Sequence, residues 1–259
     1  MTRLTVLCIS LIAISLMFAG LSYGKIDPKT IVGIWLLDED SGKTVKDSSQ
    51  NGHEGKVLGN TKWAKGKISA ALEFQGSSDS YVSVPHDESL NLVTWTATAW
   101  VQMQPGGWQG IVVKSKQPGA AARNYGIWTW TGSGELWAQS HFPGAVTAQG
   151  TTVITNGQWY HVAGTYDEKA VRAYVNGKLE KEVAATGKPV TNDEPLTIGA
   201  ASAGEFFTKG IIDDVGLFNI ALTETDIKQI MTDGLTKTLG LTAVSPSGKL
   251  ASTWGDMKQ

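Results

Sequence analysis

The stretch RNYGIWTWTGSGELWAQS, residues 123 to 140, holds the side chains best suited to chemistry. It sets the tryptophans Trp128, Trp130 and Trp137 among the polar side chains Arg123, Asn124 and Gln139. Flat indole faces stack on the apolar C–H faces of sugar rings, and their N–H groups can donate to hydroxyls. The stretch reads as a β-hairpin turning at Thr131 to Gly134. Side chains alternate across a strand, so Tyr125, Ile127 and Thr129 share one face and Trp128 and Trp130 share the other. On the return strand Leu136 and Ala138 point one way, Trp137 and Gln139 the opposite way. The buried face decides the chemistry, because a register shift of one residue turns surface tryptophans into core. Trp108, His141 and Phe142, in nearby loops, are placed to rim the same surface. Trp35, Trp63, Trp95 and Trp159 read as structural, since large aromatics dominate cores.

Catalytic constellations are thin by comparison. His53, His86 and His141 are scattered through loops without a His-x-His or His-x-x-x-His partner. His161 lies on a strand beside Trp159 and Tyr160, where a hydrogen-bonded structural role is expected. No Gly-x-Ser-x-Gly elbow occurs. The only cysteine, Cys8, lies in the N-terminal apolar run, so the rest of the chain offers no disulfide framework, thiol nucleophile or thiolate zinc ligand. Glu73 and Glu135 stand alone and read as solvated strand positions.

The elements that must position these side chains are strands. Apolar and polar residues alternate in short runs separated by Gly, Asn, Asp and Pro. Strands are expected near residues 31–37, 69–75, 80–84, 94–103, 109–114, 123–130, 134–140, 150–154, 159–166, 170–175, 178–184, 195–199 and 209–218. Asn176-Gly177 marks a tight hairpin, because both central residues of a type I′ turn need positive φ. Thr223 to Asp226 forms a Thr-x-x-Asp capping sequence that starts one short amphipathic helix. With 259 residues, 30 Gly and 41% hydrophobic residues, the chain can bury a sandwich-sized core as one domain. A net charge of -2 without any Lys/Arg run gives no field for nucleic acid or a membrane surface.

The first 24 residues read as an export signal. Arg3 precedes the apolar run from Leu4 to Gly20, and Ser22 and Gly24 occupy the -3 and -1 positions of a cut after Gly24. The alternative is an uncleaved membrane anchor, since the run approaches the roughly 17 residues that can span a bilayer. No cysteine follows the run to accept a lipid.

The segments GIWLLDEDSGKTVKDSSQNGHEGKV, ALEFQGSSDSYVSVP, TWTATAWVQ, QWYHVAGTYD, VRAYVNGK, PLTIGA and GIIDDVGLFNIALT occur in this order. Together they resemble the LamG-like jelly roll of the concanavalin A-like lectin/glucanase group, over residues 31 to 231. The resemblance implies an all-β, two-sheet antiparallel jelly-roll sandwich with one short C-terminal helix. It implies burial of Tyr125, Ile127, Leu136 and Ala138, which leaves Trp128, Trp130 and Trp137 on the outer surface of one sheet. It also implies a structural Ca²⁺ site built from Asp38, the carbonyl of Gly76 and Asp213, since calcium takes carboxylate and carbonyl oxygens. An enzyme of this group would be a glycosidase needing two carboxylates about 5 to 9 Å apart. The Glu-x-Asp-x-Glu type of strand that carries them in related β-glucanases is missing, and Asp38-Glu39-Asp40 matches the family's DE-x-SG turn instead.

These readings converge on a domain over residues 25–234 behind a 1–24 signal segment, with 235–259 as a loosely packed tail. The expected function is non-catalytic binding of a glycan or glycosylated surface outside the cytoplasm, secreted, periplasmic or on the cell surface. The binding set is Trp128, Trp130, Trp137, Gln139, Arg123, Asn124, Trp108 and His141. A protein–protein adhesion module, recognisable by a flat patch without a groove, and an atypical glycoside hydrolase remain the alternatives. A membrane enters only if the leader stays uncleaved.

Overall fold

The computed structural model describes residues 26–116, 122–201 and 205–241, so the expected export signal and most of the expected tail lie outside the described residues. The elements are β1 (Ile31–Trp35), β2 (Thr44–Val45), β3 (Gly55–Leu58), β4 (Lys62–Lys65), β5 (Ala70–Gln75), β6 (Tyr81–Val84), β7 (Trp95–Met103) and β8 (Gln109–Ser115). They continue as β9 (Arg123–Thr129), β10 (Glu135–His141), β11 (Ala145–Val153), β12 (Trp159–Tyr166), β13 (Ala170–Val175), β14 (Lys178–Ala184), β15 (Leu196–Ile198), β16 (Lys209–Phe218) and α1 (Glu224–Leu239).

The strands pair antiparallel into two sheets. One runs β14-β13-β12-β7-β16-β5-β4, with β1 also on β16, and the other runs β11-β10-β9-β8-β15-β6-β3-β2. The expected all-β, two-sheet sandwich with one C-terminal helix is thus the architecture. Strands β2, β3 and β4 were not anticipated, because Gly, Asn and charged residues break the alternation between Thr44 and Lys65. Strand β4 is a half-exposed edge of sequence KWAK, and β11 starts at Ala145 rather than near 150.

The core between the sheets is built from the inward half of each alternation. Trp35 and Trp95 are fully buried, and their indole N–H groups donate to the His53 carbonyl (2.7 Å) and to Ser140 Oγ (2.8 Å). Tyr125, Ile127, Leu136 and Ala138 join the same core, which settles the register of the central hairpin. Trp63 packs against the core from its edge, while Trp159 stays half-exposed and outside it. The Asn176-Gly177 turn has φ of 48° and 71° and joins Val175 to Lys178, as a type I′ hairpin requires.

The outer face of the first sheet is covered by α1 and the start of the described chain. Thr223 caps the helix, its Oγ1 accepting from Asp226 N while Asp226 Oδ2 accepts from Thr223 N at 3.0 Å. Gly234, with φ 76°, breaks the helix, and Leu235 N then donates to Asp214 Oδ2 at 3.2 Å. Leu235 and Leu239 pack with Ile26, Ile31, Ile34 and Phe218. The packed chain therefore runs past Gly234 to Leu239, because these leucines cover an apolar patch that a tail beginning at Leu235 would leave bare. Among the described residues no helix is long and apolar enough to cross a membrane.

His161 is buried on this side at 1% exposure, but neither ring nitrogen has a partner among the described residues. The hydrogen-bonded role expected for it is replaced by packing edge-on to Trp100, ring centroids 5.3 Å apart. Burial pushes its pKa down to about 3.

A candidate ligand pocket on the outer face of the second sheet

Strands β9 and β10 pair so that Trp128 faces Trp137 directly and Gly126 faces Gln139. With Ile127 and Ala138 in the core, alternation sends Trp128, Trp137, Gln139 and His141 to the outer face. Arg123 reaches that face by another route. Lys114 pairs with Tyr125 but Ser115 pairs with Arg123, so Asn124 is an extra, unopposed residue. Such a bulge re-aims the residue next to it. Arg123 accordingly lies over the Trp128 ring, its guanidinium carbon 3.7 Å from the centroid.

The bulge also removes Asn124 from the site. Its side chain is fully buried, accepting from Leu92 N at 2.7 Å and donating to the carbonyls of Leu92 and Val190. Phe142 likewise turns into the core, 5.0 Å from the Tyr166 ring. Neither is available to a ligand, and both depart from the sequence expectation.

The three tryptophans do share one face, but they do not lie open on it. Trp130 and Trp137 stack on each other, and Trp108, from the loop before β8, stands perpendicular to both at 4.4 and 5.0 Å. Trp128 is only 3% exposed, and its Nε1 and that of Trp137 are buried without a partner among the described residues. Four large rings on one sheet face hide their apolar area against each other before any ligand arrives. The expectation of three solvent-facing indoles is corrected accordingly: Trp128 forms a floor covered by Arg123, and Trp130 and Trp137 brace Trp108 from outside.

Beside this cluster opens a cavity of about 330 Å³, walled by Trp108, Trp128, Phe206 and Ala201 and lined by Arg123, Gln139, His141, Lys116, Gln109 and Glu205. Its size is at the lower end of small-ligand sites. Of the expected binding set, Trp108, Trp128, Arg123, Gln139 and His141 meet in it. No local pattern pointed to Gln109, Lys116, Glu205 or Phe206, which come from the two ends of β8 and the loop before β16.

The polar end of the cavity is one network. Arg123 Nη1 donates to Gln139 Oε1 and to His141 Nε2, the latter at 3.1 Å, and Gln139 Nε2 donates to Thr147 Oγ1. His141 Nε2 lies 3.1 Å from both Arg123 Nη1 and Gln139 Oε1; since a guanidinium only donates, the hydrogen bond to Arg123 requires Nε2 unprotonated, with the ring proton on Nδ1. Burial, followed by the neighbouring Arg123 charge, pushes the His141 pKa down to about 4 and keeps the ring neutral. Burial lowers Arg123 to about 10, still fully cationic at neutral pH, against an opposing pull from Glu205.

The residues expected to hold calcium are not assembled together. Asp213 Oδ2 accepts from Lys67 N (2.8 Å) and Ile68 N (3.0 Å), and Asp38 Oδ1 accepts from Ala70 N (3.0 Å), so both reach the turn before β5. Gly76 lies just past the other end of β5, packed beside Lys209. Among the described residues no group of three or more His, Cys, Asp or Glu is placed to hold a metal ion. The three positions as a set therefore do not fit the ion. Burial raises Asp213 to about 7 and Asp214 to about 6, and each feels neighbouring carboxylates.

Comparison with known proteins follows the same outline. The Laminin_G_3 family model, described as the concanavalin A-like lectin/glucanases superfamily, matches residues 75–228. Mouse (Mus musculus) pappalysin-1 is 29% identical over 108 residues, 40% of this chain and 6% of that protein. Domain 4 of AbnA, a GH43 extracellular arabinanase of Geobacillus stearothermophilus solved with arabinotriose, superposes with a TM-score of 0.63 at 21% identity, covering 78% of this chain and 98% of that domain. The binding domain of Paraclostridial Mosquitocidal Protein 1 gives 0.64 at 16% identity, covering 80% of this chain and 52% of that one. The chain spans a small fraction of the curated relative and about half of the toxin domain. On its ordered motifs, its paired sheets and a family match over more than half its length, the chain belongs to the concanavalin A-like lectin/glucanases superfamily.

Proposed function

We propose that this domain binds a glycan without acting on it, and that the cavity between Trp108 and the Arg123–Gln139–His141 network is the binding site. The observation that carries this is the pairing of aromatic wall and polar network in one preformed pocket. A sugar ring offers an apolar face and a rim of hydroxyls, and the pocket has a counterpart to each. The neighbouring arabinanase domain, solved with arabinotriose, agrees with this ligand class. Among the described residues Glu205 is the only carboxylate lining the pocket, whereas glycoside hydrolysis uses a pair. The adhesion alternative called for a flat patch, and the concavity favours a small ligand over it. The reading carries with it the exported location expected from the apolar N-terminal run.

The test is a glycan array probed with the wild type and with Trp108→Ala. Trp108 is a half-buried loop residue, so its loss should leave the domain folded while weakening array binding by about tenfold or more, the effect of losing roughly 1.4 kcal/mol of contact. A wild type that retains no glycan on the array rejects the reading.

A further inference from the structure

Arg123 is 8% exposed and lines the pocket, yet it enters no ion pair among the described residues. Its Nη1 is occupied by Gln139 and His141, while Nε is buried with no acceptor among the described residues. No hydrogen bond from Nη2 is formed among the described residues. A buried cation with no carboxylate in ion-pair contact is costly, and the more distant charge of Glu205 offsets this only in part, so its retention asks for a partner. Segments 117–121 and 202–204, which adjoin the lining residues Lys116 and Glu205 in sequence, read QPGAA and SAG and contain no acidic side chain. Among the described residues lining the pocket, two cations, Arg123 and Lys116, face the single carboxylate of Glu205. His141 is neutral and spent on Arg123, so it adds no charge of its own.

We propose that the pocket selects a sugar unit bearing a carboxylate, which meets the unneutralised guanidinium of Arg123 while its ring lies against Trp108. This rests on the glycan reading above and narrows it to acidic sugars. A planar guanidinium matches a carboxylate better than a hydroxyl, and its charge-assisted hydrogen bonds are the stronger ones. Neutral sugars would enter the same space but add nothing to the partial compensation that Glu205 supplies.

The experiment is calorimetric titration of the wild-type chain with three probes: an oligogalacturonate, the same oligomer fully methyl-esterified, and a sulfated galactan. The free acid should bind at least about tenfold tighter than its ester, and the difference should shrink as salt is raised. Arg123→Gln should bring the acid down to the level of the ester, with a melting scan confirming that the variant is folded. If it is not folded, Glu205→Gln carries the test, because removing the opposing charge at the rim should tighten binding of the acid several-fold. Equal affinity for acid and ester overturns the acidic-sugar proposal and leaves the glycan reading standing. Tighter binding of the sulfated galactan than of the oligogalacturonate overturns the choice of a carboxylate. Binding of none of the three, with no retention on the array, overturns both.

Discussion

Trp130 and Trp137 stack face to face, their ring centroids 4.5 Å apart and their planes 2° from parallel. They are diagonal neighbours across the β9–β10 hairpin, since Trp137 pairs directly with Trp128. Trp108 stands edge-on to both rings and forms a wall of the pocket, so the stack props that wall through Trp108. Trp137→Ala should lower the unfolding free energy by roughly 1 to 3 kcal/mol, between an exposed aromatic pair and a full core truncation. It should also weaken ligand binding, by letting Trp108 tilt. Urea denaturation reads the first effect; a loss above roughly 4 kcal/mol would place Trp137 in the core after all.

His161 offers a stabilising substitution. Its two ring nitrogens are buried and unpaired among the described residues, so the native state carries their desolvation without return. His161→Leu should leave stability unchanged or raise it by about 1 kcal/mol at pH 7. The histidine's folded pKa of about 3 lies below its ordinary 6.5. The unfolded chain therefore binds the extra proton between these values, and wild-type stability is lost as pH falls through that window. The advantage of the leucine variant should grow from pH 7 to pH 4 in thermal melts, and a variant clearly less stable than wild type at both would contradict the unpaired state.

Asp213 and Asp214 work in the opposite direction. Their folded pKa values, about 7 and about 6, lie above the ordinary 3.8. The folded state holds their protons more tightly, so their contribution is full below about pH 4 and is lost as pH rises toward 7. Asp213→Asn keeps an acceptor for Lys67 N and Ile68 N while removing the charge. In EDTA the variant should melt higher than wild type at pH 8, and the gap should narrow at pH 5 and close near pH 4. Calcium held by Asp213 would favour the ionised carboxylate and flatten the wild-type trend, so repeating the melts with calcium tests the site expected from the family resemblance.

Lys114 supports the pocket from beneath. Its fully buried ammonium donates to the Asn192 carbonyl and Oδ1, each at 2.9 Å, and to the Glu194 carbonyl at 2.5 Å. The same segment reaches the pocket strands, with Val190 N donating to the His141 carbonyl at 2.8 Å and the Val190 carbonyl accepting from Asn124. Lys114→Met strands these acceptors and should cost roughly 2 kcal/mol or more. Amide hydrogen exchange should rise over residues 190–195 and at His141; unchanged exchange there would show that the clamp is dispensable.

The fold was legible wherever alternation was clean, as in Trp95–Met103 and Trp159–Tyr166, and at the Asn176-Gly177 and Thr223–Asp226 signals. It was not legible where a long-range partner decides the conformation. Lys62–Lys65 becomes a strand only because β5 is there to pair with it. Within the site, parity assigned Trp128, Trp137 and Gln139 correctly, but Arg123 shares its parity with core Tyr125 and crosses over only through the bulge at Asn124. Glu205 and Phe206 meet Arg123 from more than eighty residues downstream, and no local pattern encodes that approach.

The cluster that joins Ile26 and Ile31 to Leu239 rests on the outer face of one sheet, and the ligand pocket opens on the outer face of the other. Both ends of the described chain thus leave from the back of the sandwich, with a core about 10 Å thick between them and the pocket. Tension applied through either of these two ends would load the rear sheet rather than the sheet that carries the pocket.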